Sequence, residues 1–342
     1  MTTADPAAPV AGRAAGTTRQ RVRASVVAAA SWLACRLPEG PLIRLAEVAG
    51  ELRYRLSPAT AAQARRNLAR VTAYLDATGT GSDRARAAAA DPRALERLVR
   101  AAFRHAARYY LEVARTPAVT DRMLRERLLI ENPEVVDAAF DGGRAPIFVG
   151  LHFGAVELPA LYLASRSGRP ATAPMETIDD PPLQDWFVRT RGSVGIRIVG
   201  LREARRELLA ALRRGEPVGL VGDRDLTGGG VELPFFGARA PLPAGPALLA
   251  IEADAPLFVA SVRRAGPGRY RGRLQHVETG DGTTRRERLT STMTGLARAF
   301  ESAVADAPEQ WWAVFFPIWP DLEAVAAAAD TSTERRGTGG GR

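Results

Sequence analysis

From Leu128 onward, short continuous apolar runs alternate with longer stretches of helical period. The runs at 128–130, 147–149, 171–175, 196–199 and 218–221 have the length of buried strands. Helical stretches lie between them. One opens at Asn132-Pro133 and stops at Gly142-Gly143, one covers 155–166, one opens at Asp180-Pro181 and runs to Arg191, and one covers 202–214. Further on, Pro243 opens a helix to Ala253, strands are predicted at 257–262 and 270–276, a helix at 289–305, and a last, strongly apolar strand at 311–316. This alternation predicts an α/β fold with a central, mostly parallel or mixed β-sheet flanked by helices.

Upstream the pattern is helical. Residues 42–56 read as helix, Ser57-Pro58 opens another through Leu75, 78–90 reads as a surface loop, and Asp91-Pro92 starts a long helix to about Ala114. The chain therefore divides into a disordered tail at 1–19, an N-terminal helical region at 20–127, an α/β core at 128–320 and a disordered tail at 321–342. The sheet alternation is confined to one stretch, which favours a single large domain.

Two features of the helical region bear on partners. The apolar stretch 24–34 is too short to span a bilayer. Preceded by Arg19, Arg21 and Arg23, it suits either a helix lying at a membrane interface with its cations toward lipid phosphates, or an amphipathic helix packed on the domain. Arg93, Arg97, Arg100, Arg104 and Arg108 recur at helical spacing and form one cationic stripe, readable as a solvated face or as a phosphate-contacting one.

Composition narrows the chemistry. The net charge is +9, and the 47 basic residues are all Arg. Without Lys there is no phosphate-loop lysine and no Schiff base. Cys35 is the one cysteine and sits in an apolar helix, so disulfide, two-cysteine redox and two-cysteine metal motifs are excluded and a packing role is expected. The three histidines, His105, His152 and His276, lack metal-ligand spacing, so no metal site is expected. His105 reads as a packing or helix-surface residue. The charge calls for an acidic partner. No nucleic-acid-binding signature accompanies it, so an anionic membrane and an acidic ligand account for it better.

The most informative stretch follows the strand 147–149, which delivers His152 onto a turn before the helix at 155. His152 thus lies at the carboxyl edge of the sheet, where ligands of open α/β sheets bind. Glu157, one helical turn further on, is placed to orient the imidazole through its second nitrogen, and backbone N–H groups near Phe153 and Gly154 are candidate donors to an oxyanion. The strand 218–221 ends in Asp223-Arg224-Asp225, so two strand ends offer His152, Glu157, Asp223 and Arg224 to one crevice. A His with an acidic partner can take a proton from a hydroxyl and pass it to a leaving group. No Gly-x-Ser-x-Gly elbow or nucleophilic Cys is present, so a single displacement is expected.

His152-x-x-x-x-Glu157 after an apolar strand resembles the signature of the lysophospholipid acyltransferase superfamily. Val221-Gly222-Asp223-Arg224-Asp225-Leu226, Gly230 through Gly237, Pro243-Ala244-Gly245-Pro246-Ala247, Arg263-Arg264 and Pro308-Glu309-Gln310-Trp311 resemble its branch of lipid A lauroyl and phosphatidylinositol mannoside acyltransferases. The likeness runs from about Arg21 to Pro320. It implies a membrane-associated O-acyltransferase on the cytoplasmic face of the plasma membrane, moving a fatty acyl group from acyl-CoA to a glycolipid hydroxyl, with acyl-CoA a co-substrate and no cofactor. His152 would be the base, Glu157 would hold its tautomer, and Asp223 would supply a further acidic group that pairs with His152 or binds acceptor hydroxyls. Arg191 and, more weakly, Arg263 and Arg264 would meet phosphate. Arg224, Asp225 and Gly154 complete the expected binding set. The absence of a Phe-Pro-Glu-Gly block argues against a lysophosphatidate acceptor, and Asp223 through Leu226 leans toward the inositol-mannoside type. Alternatives are a lipid A-type enzyme using acyl-carrier protein and a non-catalytic basic protein binding membrane or nucleic acid.

Overall fold

The computed structural model describes residues 16–225, 228–280 and 282–326. The expected tails therefore lie mostly outside the described residues, as does Leu226. Five helices come first: α1 (Thr18–Arg36), α2 (Glu39–Leu56), α3 (Pro58–Ala77), α4 (Asp83–Ala90) and α5 (Pro92–Ala114). Then follow α6 (Asp121–Arg127), β1 (Leu128–Ile130), α7 (Pro133–Asp141), β2 (Ile147–Gly150), α8 (Glu157–Ser167), β3 (Ala171–Met175), α9 (Pro181–Gly192), β4 (Ile196–Gly200), α10 (Ala204–Arg213) and β5 (Val218–Val221). The chain continues through the hairpin β6 (Val231–Phe235) and β7 (Ala238–Leu242), then α11 (Gly245–Ala253), β8 (Leu257–Gly266), β9 (Arg269–Val277) and α12 (Arg285–Ala305).

Seven strands form one sheet in the order β1-β9-β8-β2-β5-β3-β4, parallel at every pairing except β8 with β9. The central strand β2 is buried on both faces, which is why its sequence reads as an unbroken apolar run. Ile147 and Val149 join the large core built with α3, α4, α5, α11 and α12, whereas Phe148 packs on the other side with Val136, Leu163 and Phe258. The N-terminal helices thus share the core that supports the strand leading to His152.

Helix α5 begins where the chain offers a cap and a first-turn proline. The Asp91 carboxylate accepts the N–H groups of Arg93 at 2.9 Å and Ala94 at 3.1 Å. Its arginine stripe divides: Arg93 and Arg97 at the start of the helix are exposed, whereas the three that follow turn to α2. Arg100 and Arg104 pair with Glu51, and Arg108 reaches Glu47 at 3.5 Å, both on α2. Gly50 permits this approach, since a Cβ there would meet the Phe103 carbonyl oxygen at 2.6 Å. Of the N-terminal arginines expected to face lipid, Arg23 instead pairs with buried Asp180.

Two further expectations fail. The small, polar stretch 78–90 contains helix α4, capped by Ser82 and burying Ala85 and Ala88 against α3 and α5. Alanine carries a high helix propensity that a search for apolar periodicity passes over. The apolar stretch 311–316 is not a strand. Bounded by Pro308 and Pro317, it forms a 3₁₀ turn at Trp312–Phe315, with a single bridge between Trp311 and Phe153. The Trp311 indole is buried beside the β6–β7 hairpin, whose turn residues Phe236 and Gly237 both have positive φ, the conformation of a tight two-residue hairpin turn.

Candidate active site

Strand β2 pairs with β5 so that Gly150 lies opposite Val221, and the chain leaves both strand ends on the same side. Two residues beyond each end stand His152 and Asp223. His152 Nδ1 is 2.7 Å from Asp223 Oδ1. Asp223 Oδ2 accepts the backbone N–H of His152 at 3.0 Å and the indole N–H of Trp311 at 2.7 Å. The Asp223 side chain is fully buried and that of His152 is 18% exposed. Burial pushes the Asp223 carboxyl up, but the imidazole beside it and the bonds from His152 and Trp311 outweigh burial and hold it below the usual carboxylate range. An ionised Asp223 fixes the proton on Nδ1 and leaves the Nε2 lone pair as a base.

Asp223 therefore has the orienting position expected for Glu157. The Glu157 carboxylate is turned to Arg191 in a two-pronged pair, with Oε1 2.6 Å from Nη2 and Oε2 3.1 Å from Nε. Position explains the exchange. Glu157 is the first residue of α8, and its side chain meets Arg191 at the end of α9, whereas Asp223 leaves the adjacent strand on the same level as His152. Arg191, expected to meet phosphate, is likewise committed to Glu157. Burial lowers its guanidinium, and the Glu157 charge more than compensates.

The turn that carries His152 is closed on itself. The N–H groups of Phe153, Gly154 and Ala155 donate to the carbonyls of Leu151 (2.7 Å), Gln310 (2.9 Å) and Val262 (2.9 Å), and Trp312 N–H donates to the His152 carbonyl at 2.9 Å. The Phe153 and Gly154 N–H groups are thus already engaged, contrary to their expected role as oxyanion donors. Gly154 has φ +57°, and a Cβ on it would lie 2.0 Å from the Val262 carbonyl oxygen. Its part is close backbone approach.

His152, Glu157, Arg191 and Arg224 line one cavity of about 300 Å³, with Trp312 and Tyr109 beside them and a largely apolar remainder that includes Leu151, Pro159, Ile198 and Leu220. Trp312 packs edge-on to the His152 ring, centroids 4.4 Å apart, and Tyr109 lies against Trp312. Arg224 is stacked on Phe316, 3.6 Å from its ring centroid, and makes no ion pair among the described residues. Half-burial lowers its guanidinium while Asp223 and Glu176 oppose the shift. Asp225, expected to bind substrate, turns its carboxylate to the N–H groups of Gly228 (3.0 Å) and Gly230 (2.7 Å) and so shapes its own loop. Arg263 pairs with Glu131 and Asp306, and Arg264 is buried. Sequence reading missed Trp311, Trp312 and Tyr109. Trp311 has a signal in the Pro308-Glu309-Gln310-Trp311 block of the family resemblance, but no role is attached to it, and Trp312 lies in an aromatic-rich run that looks the same as a buried strand.

An imidazole held by a buried carboxylate at the wall of a largely apolar cavity has the geometry to take a proton from a hydroxyl in a lipid-like environment. The chain belongs to the bacterial lipid A biosynthesis acyltransferase family, whose model matches residues 16–316, and it is an acyltransferase. Among its relatives is a phosphatidylinositol mannoside acyltransferase of Mycolicibacterium smegmatis, 32% identical over 243 residues that cover 70% of this chain and 75% of that one. The phosphatidylinositol mannoside acyltransferase of Mycobacterium tuberculosis is 34% identical over 237 residues, 67% of this chain and 69% of that protein.

Proposed function

We propose that this acyltransferase moves a fatty acyl group from acyl-CoA to a hydroxyl of a phosphatidylinositol mannoside, working on the cytoplasmic face of the plasma membrane. The observation that carries the reading is the His152–Asp223 pair, 2.7 Å between Nδ1 and Oδ1, at the wall of an apolar cavity. His152 Nε2 removes the acceptor hydroxyl proton as the oxygen attacks the thioester carbonyl carbon. The tetrahedral intermediate collapses by breaking the carbon–sulfur bond, and the imidazolium returns the proton to the departing thiolate. Asp223 stabilises the imidazolium between these steps. Arg224, a cation on the cavity wall without an ion pair among the described residues, meets the developing oxyanion or a substrate phosphate. The names of the relatives support the acceptor, and a lone base suits a thioester donor, the class to which acyl-CoA belongs.

Membrane association rests on the surface of the first two helices. No helix among the described residues is long and apolar enough to cross a membrane. Val22, Val26, Trp32 and Leu33 on α1, and Leu45, Val48, Leu52 and Leu56 on α2, are nonetheless exposed, with Arg19, Arg21 and Arg44 among them. Apolar side chains flanked by cations suit the interface of an anionic bilayer.

The test is turnover of palmitoyl-CoA with a mannolipid-containing extract, comparing wild type with His152→Ala and identifying products by mass spectrometry. Acylated mannolipid from the wild type alone supports the proposal. Equal turnover in both proteins removes His152 from the mechanism. Turnover only with acyl-carrier protein and a lipid A precursor replaces the donor, and replaces the acceptor with the one for which the family is named.

A further inference from the structure

The Arg263-Arg264 pair has a divided fate, and its second member leads to the catalytic turn from behind. The Arg264 side chain is 1% exposed. Its guanidinium forms a fork on Glu112 of α5, Nε to Oε1 at 2.7 Å and Nη2 to Oε2 at 2.6 Å. The same Nη2 donates to the Gly154 carbonyl at 2.8 Å. The Arg264 backbone is fixed as well. Its N–H donates to Gln310 Oε1 at 2.8 Å, and its carbonyl accepts from Gln310 Nε2 at 2.9 Å, while the Gln310 carbonyl takes the Gly154 N–H. Both polar backbone groups of Gly154 are thus held by one assembly of Arg264, Glu112 and Gln310.

We propose that Arg264 is a positioning residue for His152, its guanidinium fixing the Gly154 carbonyl so that the imidazole stays aligned on Asp223. The inference rests on the reading of His152 as the base. A side chain sealed from solvent cannot greet a substrate phosphate, so its charge serves something internal. Two of its donors satisfy Glu112, Nη1 lies 3.4 Å from His105 Nδ1, and Nη2 reaches the one residue of the turn that has left-handed backbone and no side chain to anchor it. Lose that bond and the Gly154 carbonyl is buried without a donor. The turn can recover one only by rotating a peptide two residues from His152. An error near 1 Å in a catalytic group costs about 100-fold in rate.

The experiment replaces Arg264 by Met, which keeps length and removes every donor, and by Lys, which retains the charge next to Glu112 without the fork. Tyr270→Phe serves as a control, because Tyr270 O–H contacts the same carboxylate at 3.3 Å without reaching Gly154. Turnover is expressed per folded enzyme, and imidazole ¹⁵N spectra are recorded. The chain has three histidines, so the His152 signals are assignable by substitution. The expected result is a loss in kcat of about 100-fold for Arg264→Met with KM within about threefold, and about tenfold for Arg264→Lys. Both spectra would show His152 no longer held in a single Nδ1–H tautomer, and Tyr270→Phe would match wild type in both readouts. If Arg264→Met does not fold, Arg264→Lys decides alone. Folded variants with wild-type kcat and an unaltered His152 spectrum overturn the proposal. The spectra report positioning even if no acyl transfer is detected, so failure of the acyltransfer reading is separable from failure of this one.

Discussion

Asparagine in place of Asp223 should inactivate the enzyme without unfolding it, for a reason that can be counted in hydrogen bonds. Asp223 accepts from three donors: the backbone N–H of His152 and the Trp311 indole on Oδ2, and His152 Nδ1 on Oδ1. Asn has one oxygen and one NH₂ group. Placing the oxygen at the Oδ2 site satisfies two donors and points the NH₂ at Nδ1. His152 must then accept at Nδ1 and carry its proton on Nε2, the nitrogen needed as the base. The opposite orientation sets the NH₂ against two buried N–H groups. At about 1–3 kcal/mol for each unsatisfied buried donor, the wrong tautomer is favoured by at least about 2 kcal/mol, roughly 30-fold. Loss of the charge that stabilises the imidazolium adds to this. A fall in kcat of about 10³–10⁴ follows, as for the equivalent exchange in a Ser-His-Asp triad. The assay is thiol release from acyl-CoA under saturating acceptor, beside imidazole ¹⁵N spectra and thermal unfolding of the same samples. Glu157→Gln is the contrast. It leaves Arg191 half-buried to buried without its partner and lowers stability, yet the His152 tautomer stays as in wild type. If Asp223→Asn keeps kcat within tenfold of wild type, the assignment of Asp223 as orienting carboxylate is wrong.

Three other outcomes follow from the same geometry. Gly154→Ala brings a Cβ to within 2.0 Å of the Val262 carbonyl oxygen at φ +57°, so the turn must move by about 1 Å; kcat should fall about 100-fold or more, measured beside the unfolding midpoint. Trp311→Phe keeps a ring in the aromatic cluster but removes a donor to Asp223, and should cost about 1–3 kcal/mol in denaturant unfolding together with a measurable drop in kcat. His105 is half-buried, and its desolvation together with Arg264, Arg108, Arg104 and Arg84 holds its pKa well below the ordinary value near 6.5. Below that pH the unfolded chain binds a proton that the folded chain does not, so stability is lost as pH falls, by up to about 1.4 kcal/mol per pH unit from this group. His105→Gln should flatten the slope between about pH 5 and 6.5 relative to wild type, and identical slopes would exclude His105 as its source.

The sequence carries most of this architecture wherever local chemistry is decisive. Asp91-Pro92 marks the start of α5 to the residue, and the apolar run ending before His152 is the central strand because a strand buried on both faces has no polar positions. The meeting of His152 and Asp223 at adjacent strand ends, with Glu157 and Arg224 on the cavity wall, was also legible, although Asp223 is buried behind His152 and does not line the cavity. What failed depended on contacts far apart in the chain. Glu157 stands five residues from His152 and was given the imidazole on proximity, but direction is set by Arg191, 34 residues on. The arginine stripe of α5 had no visible partner until α2 was laid across it. The run of aromatic residues after Trp311 has the hydropathy of a strand, and only its bonds to His152 and Asp223 explain why it is not one.

Closure of the catalytic turn by Gln310, Trp311 and Trp312 also has a consequence in time. His152 is synthesised long before the residues that fix it in place, and at about 5–20 residues per second the ribosome needs roughly 10–30 s to travel from one to the other. Once Asp223 has been added, 71 residues after His152, the nascent chain has its base and its acidic partner in hand, yet still lacks the indole and the backbone that lock them together. Competence for acyl transfer arrives only after residues 310–312 have been made, so a chain truncated before Pro308 should be inert even with every reactive side chain of the cavity wall up to that point present.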